Sequence, residues 1–369
     1  MSESLPETIK AVQIQPEKTV KVVDIPFASQ ELVKNLPSED VLIRVRAAGL
    51  NPTDWKHAFD TWGNPWTIAG CDAAGDVVKV GSQVTHLNIG DRIAGFNFGG
   101  SWQKDNGAYA EYVRLNAAVC WKLPESMTYE EAASLPIPHL TAAQALYMRL
   151  PIPKPFSPNV PLKEKIVIWG GSTAVGHHAI QLAALSGLEV IVTASPGAHE
   201  ELKTLGATTC VDYRAPDAVS QIKAAAGPEG VIYGFDTVSE HGSTEHMIDA
   251  MSEKRGGTIM VLLPVAEEVI NRRRDVHVEM TLAYTLLGYA LTFAGIPFPE
   301  ISEDNRRCLL YVTEDMPRIL EGWKTGQGAP KLKPQRLRRM QGGLERIYEG
   351  LKIMADGNYA REKLVYTIQ

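Results

Sequence analysis

The chain has 369 residues, 44% of them hydrophobic, which is enough for a large buried core and favours two domains over one. Its formal net charge of −6 argues against a nucleic-acid-binding surface, and the local clusters Arg272-Arg273-Arg274 and Arg336 to Arg339 read as solvated helix faces. Four scattered cysteines, Cys71, Cys120, Cys210 and Cys308, give neither a disulfide framework nor a four-thiolate zinc site, and fit a reducing compartment. The N-terminus lacks a basic segment followed by an apolar one, and no apolar run reaches membrane-spanning length. The expected location is the cytoplasm, away from any membrane.

In chain order, residues 11–15, 20–25, 41–47, 75–80, 92–96 and 108–115 alternate or carry β-branched side chains. Turn pairs such as Gly81-Ser82 and Gly90-Asp91 separate them. Many short strands at this spacing predict a small, partly open β-barrel. Residues 136–150 read as a helix, and 151–161 as a Pro-rich connection.

Residues 166–169 are a short apolar, β-branched run, followed by Gly170, Gly171, Ser172, Thr173, Ala174, Val175 and Gly176, and then by apolar residues at helical spacing up to Gly187. Such a strand, tight turn and helix presents free N–H groups and the positive end of a helix dipole, where a pyrophosphate binds. As a G-x-G-x-x-G match it is imperfect, because Thr173 stands where a glycine is expected. Taken alone it also suits a Gly-rich turn in any α/β protein.

Further strand candidates at 190–193, 209–212, 231–236 and 258–263 alternate with helical segments, which predicts a doubly wound parallel sheet. Ligands bind such sheets at the carboxyl ends of the strands, so residues there, Leu263 among them, become candidates for cofactor contact. Residues 295–299 break the pattern, 306–324 read as a helix, 342–355 as another, and 363–368 as a strand returning to the first domain.

The order barrel, nucleotide fold, return strand, with Ala48-Gly49-Leu50-Asn51-Pro52-Thr53-Asp54, Gly70-Cys71-Asp72-Ala73-Ala74-Gly75, Gly90-Asp91-Arg92, Gly107-Ala108-Tyr109-Ala110-Glu111-Tyr112, the 170–176 turn and Glu362-Lys363-Leu364-Val365-Tyr366, resembles the medium-chain dehydrogenase/reductase superfamily over nearly the whole chain. Within it the Asn-Pro-x-Asp segment and the Gly-Gly-Ser-Thr-Ala turn resemble the zinc-free branch, which includes quinone oxidoreductases and the fungal enoyl reductases that act in trans with polyketide and toxin pathways. The resemblance implies an α/β chain with a GroES-like, partly open β-barrel domain (1–135, completed by 330–369). The other domain it implies is a Rossmann doubly wound sheet that binds NADPH (136–329).

Zinc alcohol dehydrogenases of this superfamily carry Cys where Asn51 stands and a His-Glu pair where Cys71-Asp72 stands, and they have a dense cysteine lobe that is missing here. An amide is a poor zinc ligand, so no metal is expected. Cys71 then reads as a small buried hydrophobe and Asp72 as a turn or strand-end residue. After the second nucleotide strand, Thr193-Ala194-Ser195-Pro196-Gly197 offers no acid until Glu200. Ser195, His199, Lys203, Tyr213 and Arg214 lie at the ends of adjacent strands, and together they favour NADPH over NADH; similar reductases use the matching Tyr in this way.

The implied reaction is hydride transfer to the β-carbon of an α,β-unsaturated carbonyl, or to a quinone. The resemblance puts Asn51, Lys56 and Thr141 beside the nicotinamide, against the plainer readings of an Asn-Pro turn, a solvent lysine and a helix cap. Tyr284, Leu287, Tyr289 and Phe293 form an aromatic, apolar stretch that reads as either a substrate wall or core. Gly288, Gly295, Pro297 and Pro299, with an insertion through Pro334, are expected to interrupt the edge on which zinc-containing relatives dimerise, leaving a monomer. The leading reading is a zinc-independent, NADPH-dependent enoyl or ene reductase whose small unsaturated carbonyl substrate is free or tethered to a carrier protein. The alternatives are a quinone or carbonyl reductase and a non-catalytic NADPH-binding protein, the last favoured by Thr173.

Overall fold

The computed structural model describes residues 4–60, 62–157, 164–323 and 332–368. It divides into two compact units, residues 1–137 with 284–369, and residues 138–283. The expected extension of the nucleotide-binding part to residue 329 is therefore not what the packing shows. Residues 284–320 group with the first unit, where Tyr284 and Asn305 find their partners. Among the described residues no helix is long and apolar enough to cross a membrane.

In the first unit β1 (Thr8–Gln15) and β2 (Thr19–Pro26) form an antiparallel hairpin. The main sheet starts with β3 (Asp40–Gly49), β4 (Asp72–Val80), β5 (Arg92–Phe96), β6 (Tyr112–Asn116) and β7 (Trp121–Lys122). Small residues at the paired ends, Ala47 and Ala48 against Ala73 and Ala74, let β3 and β4 lie close and carry buried backbone toward Asn51. The loop after β3 opens α1 (Pro52–Phe59), with proline in the first turn, where its missing N–H costs nothing. After β7 comes α2 (Pro136–Gln144), which continues as a π-turn over Ala145–Arg149 where the sequence predicted one uninterrupted helix. Of the Pro-rich connection at 151–161, residues 158–161 lie outside the described residues.

The second unit carries β8 (Lys165–Trp169), α3 (Ala174–Leu185), β9 (Glu189–Thr193), β10 (Ala207–Val211), β11 (Tyr233–Asp236), β12 (Gly257–Val261) and β13 (Val276–Met280). All six strands are parallel, in the order β10-β9-β8-β11-β12-β13, so the order reverses beside β8. Strands covered on both faces need continuous apolar runs, and Ile166, Val167 and Ile168 are completely buried. Arg272, Arg273 and Arg274 lie in turns rather than on a helix face. Arg273 donates to the carbonyls of Ile248, Met251 and Ser252 and pairs with Asp275, and so satisfies the end of the helix Ser243–Ala250.

The chain returns through β14 (Leu291–Phe293) and β15 (Ile296–Phe298), a hairpin where the glycine and prolines of 295–299 predict only a break. Its two-residue loop, Ala294-Gly295, has φ of +49° and +79°, the signature of a type I′ turn. The helix expected at 306–324 is Ser302–Leu310, then a π-turn Tyr311–Asp315 and Met316–Leu320, and Lys324 lies outside the described residues. Arg336 to Arg339 belong to β16 (Arg336–Met340), parallel to β17 (Glu362–Thr367), and are not a helix face. β17 pairs antiparallel with β3, so the C-terminal strand does complete the first unit's sheet.

Candidate active site

In the second unit the turn between β8 and α3 is built by steric necessity. A Cβ on Gly171 would lie 2.1 Å from Val192 Cγ1, and one on Gly176 would lie 2.3 Å from the carbonyl of Gly170, so neither tolerates a side chain; Gly170 also has φ of +83°. Thr173 has an ordinary φ of −69° and caps α3, its hydroxyl accepting from the N–H of Gly176 at 2.9 Å. The N–H groups of Ser172, Ala174 and Val175 have no acceptor among the described residues, and a helix start of this kind is suited to hold an anion. Thr237, which the sequence reading missed, donates to the carbonyls of Trp169 and Gly170 and bonds Thr173 Oγ1, fixing the turn from the adjacent strand end.

Ser195 and Tyr213 lie two residues past the ends of β9 and β10, neighbouring strands joined by the bond from Ala194 N–H to the carbonyl of Val211. Tyr213 and Arg214 are exposed, with Arg214 Nε donating to Tyr213 Oη at 3.1 Å. His199 faces back toward the carbonyl of Ala194 at 3.0 Å, and Lys203 is paired with Glu200. Leu263 is half-buried just past β12. Thr141 is buried in the interior of α2 and not at a helix start, because Pro136 and Pro138 occupy the first turn.

The first unit holds a buried polar network. Asn51, 2% exposed, donates from Nδ2 to Asp72 Oδ2 at 2.8 Å and accepts at Oδ1 from Lys363 Nζ at 2.5 Å. Lys363 also pairs with Asp72 at 3.1 Å. Asn51 is thus occupied on both amide atoms by its own chain. Asp72 opens β4, the strand-end position expected of it, and is also a pairing centre; burial pushes its carboxyl above the usual range while the Lys363 ammonium opposes this. Asp54 Oδ2 accepts from the N–H of Asn51 and from Tyr109 Oη, both at 2.7 Å. Cys71 Sγ and Tyr284 Oη are 3.2 Å apart, and Tyr284 Oη donates to Thr53 at 3.1 Å.

Lys56 is half-buried, its ammonium 4.8 Å from the Trp62 ring centre and 5.7 Å from that of Trp55. Tyr284 stacks on Phe98 at 4.0 Å and Leu287 is buried, so both are core. Tyr289 is half-buried and edges against exposed Trp102, and Phe293 packs on Trp62. Asp54, Tyr109 and Lys363 stand in the sequence only as members of the family-like motifs, with no role of their own, and Trp62 carries no signal there. Lys363 follows Glu362 and directly precedes the apolar run Leu364-Val365-Tyr366, so it reads locally as a strand-end charge.

Two family models match, the alcohol dehydrogenase GroES-like domain over residues 37–125 and the zinc-binding dehydrogenase over residues 174–296. The chain is 35% identical over 367 residues to the trans-enoyl reductase ACTTS2 of Alternaria alternata, with 98% of this chain and 99% of the relative covered. The chain belongs to the medium-chain dehydrogenase/reductase superfamily. It is an oxidoreductase. This reductase is also 33% identical to the enoyl reductase component lovC of the lovastatin nonaketide synthase of Aspergillus terreus, over 90% of each chain. Among solved structures it is similar to the quinone oxidoreductase of Coxiella burnetii, with a TM-score of 0.66 and 27% identity over 98% of this chain and 100% of that one.

The name of the second family model raises the question of zinc. An amide, a thiol pushed up by burial, and a carboxylate already paired with an ammonium do not fit a zinc ion; no group of three His, Cys, Asp or Glu among the described residues could hold a metal. The turn at 170–176 does fit a dinucleotide pyrophosphate.

Proposed function

We propose that this reductase transfers a hydride from NADPH to the β-carbon of an α,β-unsaturated carbonyl, without a metal and as a monomer, on a substrate that is free or held by a carrier protein. The observation that carries this reading is the end-to-end likeness to trans-enoyl reductases, 98% of the chain in one case. NADPH supplies the hydride; the chain must hold the cofactor, orient the substrate and stabilise the enolate oxygen that gains charge as the hydride arrives.

In this reading the pyrophosphate lies on the N–H groups of Ser172, Ala174 and Val175, and the 2′-phosphate is met by Ser195, Tyr213 and Arg214. Lys56 supplies the cation for the enolate oxygen, with Thr141 on the nicotinamide side. Asn51 acts as a buried support, since both of its amide atoms are engaged. A second reading, quinone reduction, is favoured by the likeness to the Coxiella burnetii enzyme.

NADPH oxidation by the purified protein against enones, enals, a thioester-linked enoyl group, quinones and saturated ketones, with product analysis, tests both. Saturated carbonyl products support the enoyl reading, quinone turnover alone replaces it with the second, and turnover of neither class sinks both.

A further inference from the structure

Asp72 is the point where four segments of the first unit meet. Its Oδ2 accepts from Lys363 Nζ of β17 and from Asn51 Nδ2, its Oδ1 accepts from the N–H of Ile137 at 2.8 Å, and Lys363 Nζ reaches Asn51 Oδ1 as well. Lys363 is 3% exposed and Asp72 0%. Taking two charges this far out of water is costly, and apolar groups of similar volume often serve the fold as well or better, so stability alone does not account for the pair.

Orientation does account for it. The Asn51 carboxamide can lie only one way, because a flip would point its NH2 at the ammonium and its oxygen at the carboxylate. Asn51 stands at the N-cap of α1, five residues before Lys56 on the same helix, and its own N–H is held by Asp54. Ile137 stands in the first turn of α2, the helix of Thr141.

We propose that Lys363 and Asp72 are a positioning pair: through the locked Asn51 amide they set the N-terminus of α1 and thereby the place of the Lys56 ammonium, without themselves touching substrate. The placement of Lys56 at the reacting end rests on the reductase reading; the locking of α1 does not.

The test is the double variant Lys363→Met with Asp72→Asn, which leaves no unpaired charge buried, beside wild type and Asn51→Ala, which keeps the ion pair and cuts only its link to α1. The double variant is expected to melt within roughly 5 °C of wild type. In both variants kcat at saturating NADPH and enone is expected to fall roughly 10- to 100-fold, the cost of a misplaced group. Amide hydrogen exchange should quicken within Pro52–Phe59 while β8 to β12 stay unchanged. Because Asn51→Ala carries no buried charge imbalance, it decides the matter if the double variant does not fold.

Exchange is read without turnover, so a wild-type protein that reduces nothing overturns the reductase reading and leaves the locking of α1 to be judged on exchange alone. Unchanged exchange in Pro52–Phe59, or wild-type kcat in the variants of an active enzyme, overturns the positioning role.

Discussion

Lys56 and Asp54 lie two positions apart on α1 and have opposite surroundings. The Lys56 side chain is half-buried, and its ammonium lies over the Trp62 ring. Replacing it with methionine keeps the stem and removes the charge. The expected loss is about 2.7–4 kcal/mol of transition-state stabilisation, a fall in enone kcat of roughly 10²- to 10³-fold, with NADPH affinity nearly unchanged. Wild-type turnover in Lys56→Met would return this residue to the surface.

Asp54 is buried, and burial pushes its carboxyl up to about 6, the Tyr109 hydroxyl opposing and the Asp72 charge adding. Burial likewise raises Asp40 to about 6, and lowers His57 to about 4 and His139 to about 3. The folded state holds the carboxyl protons more tightly than the unfolded state, so the two acids contribute stability that is present below about pH 4 and lost as pH rises toward 6. The histidines have the opposite sign: their contribution is present above about pH 6.5 and lost as pH falls through about 4 for His57 and about 3 for His139. The two effects offset each other in wild type. Asp54→Asn removes one falling contribution, so its stability relative to wild type should increase by roughly 2–3 kcal/mol between pH 4 and pH 6.5. Urea unfolding at several pH values reads this directly, and a flat difference would mean that Asp54 titrates alike folded and unfolded.

At the scale of elements, what the sequence revealed follows from how each element is covered. β8, β9 and β12 are buried on both faces and so appear as continuous apolar runs. β13 is an edge strand reading Val276-His277-Val278-Glu279-Met280, and β16 reads Arg336-Leu337-Arg338-Arg339-Met340. Half-covered strands carry charges, and the arginines of β16 point in sequence toward a solvated helix instead. The α3 turn shows the reverse case, in which a departure from the glycine pattern has a local cause. Thr173 gives its hydroxyl to the Gly176 N–H and needs no left-handed backbone. Thr173→Ala should therefore cost about 1 kcal/mol of stability as a lost cap, while NADPH affinity stays within a few-fold. If Thr173→Gly instead tightens NADPH tenfold, the threonine does restrict the pyrophosphate, and the non-catalytic reading regains its support.

At the scale of the whole molecule, what stayed illegible is pairing between distant positions. Lys363 and Asp72 are separated by 291 positions, and nothing at either position announces the other. The grouping of residues 284–320 with the first unit depends on the same kind of contact, Tyr284 with Cys71 and Thr53 and Asn305 with Asn116, made by side chains that each read locally as core or surface.

Cofactor choice also belongs to the whole molecule, because a ligand that binds only the folded chain stabilises it according to its own affinity. No acid follows β9 before Glu200, and Glu200 is itself paired with Lys203, so nothing there selects the free ribose hydroxyls of NADH. His199 is turned to the carbonyl of Ala194, which leaves Ser195, Tyr213 and Arg214 as the groups available to a 2′-phosphate. Charge-assisted hydrogen bonds to that phosphate contribute on the order of 1.5–3 kcal/mol each, so one such bond alone gives a preference of roughly tenfold or more. At 100 times its dissociation constant NADPH should add about 2.7 kcal/mol to the unfolding free energy, and NADH at the same concentration about half of that. Ser195→Asp places a carboxylate where the phosphate is expected and should reverse the order. Urea melts of wild type and Ser195→Asp with each cofactor measure the four values. Equal stabilisation by NADPH and NADH in wild type would remove the phosphate role of Ser195, Tyr213 and Arg214 while leaving the pyrophosphate turn in place, and stabilisation by neither would remove both.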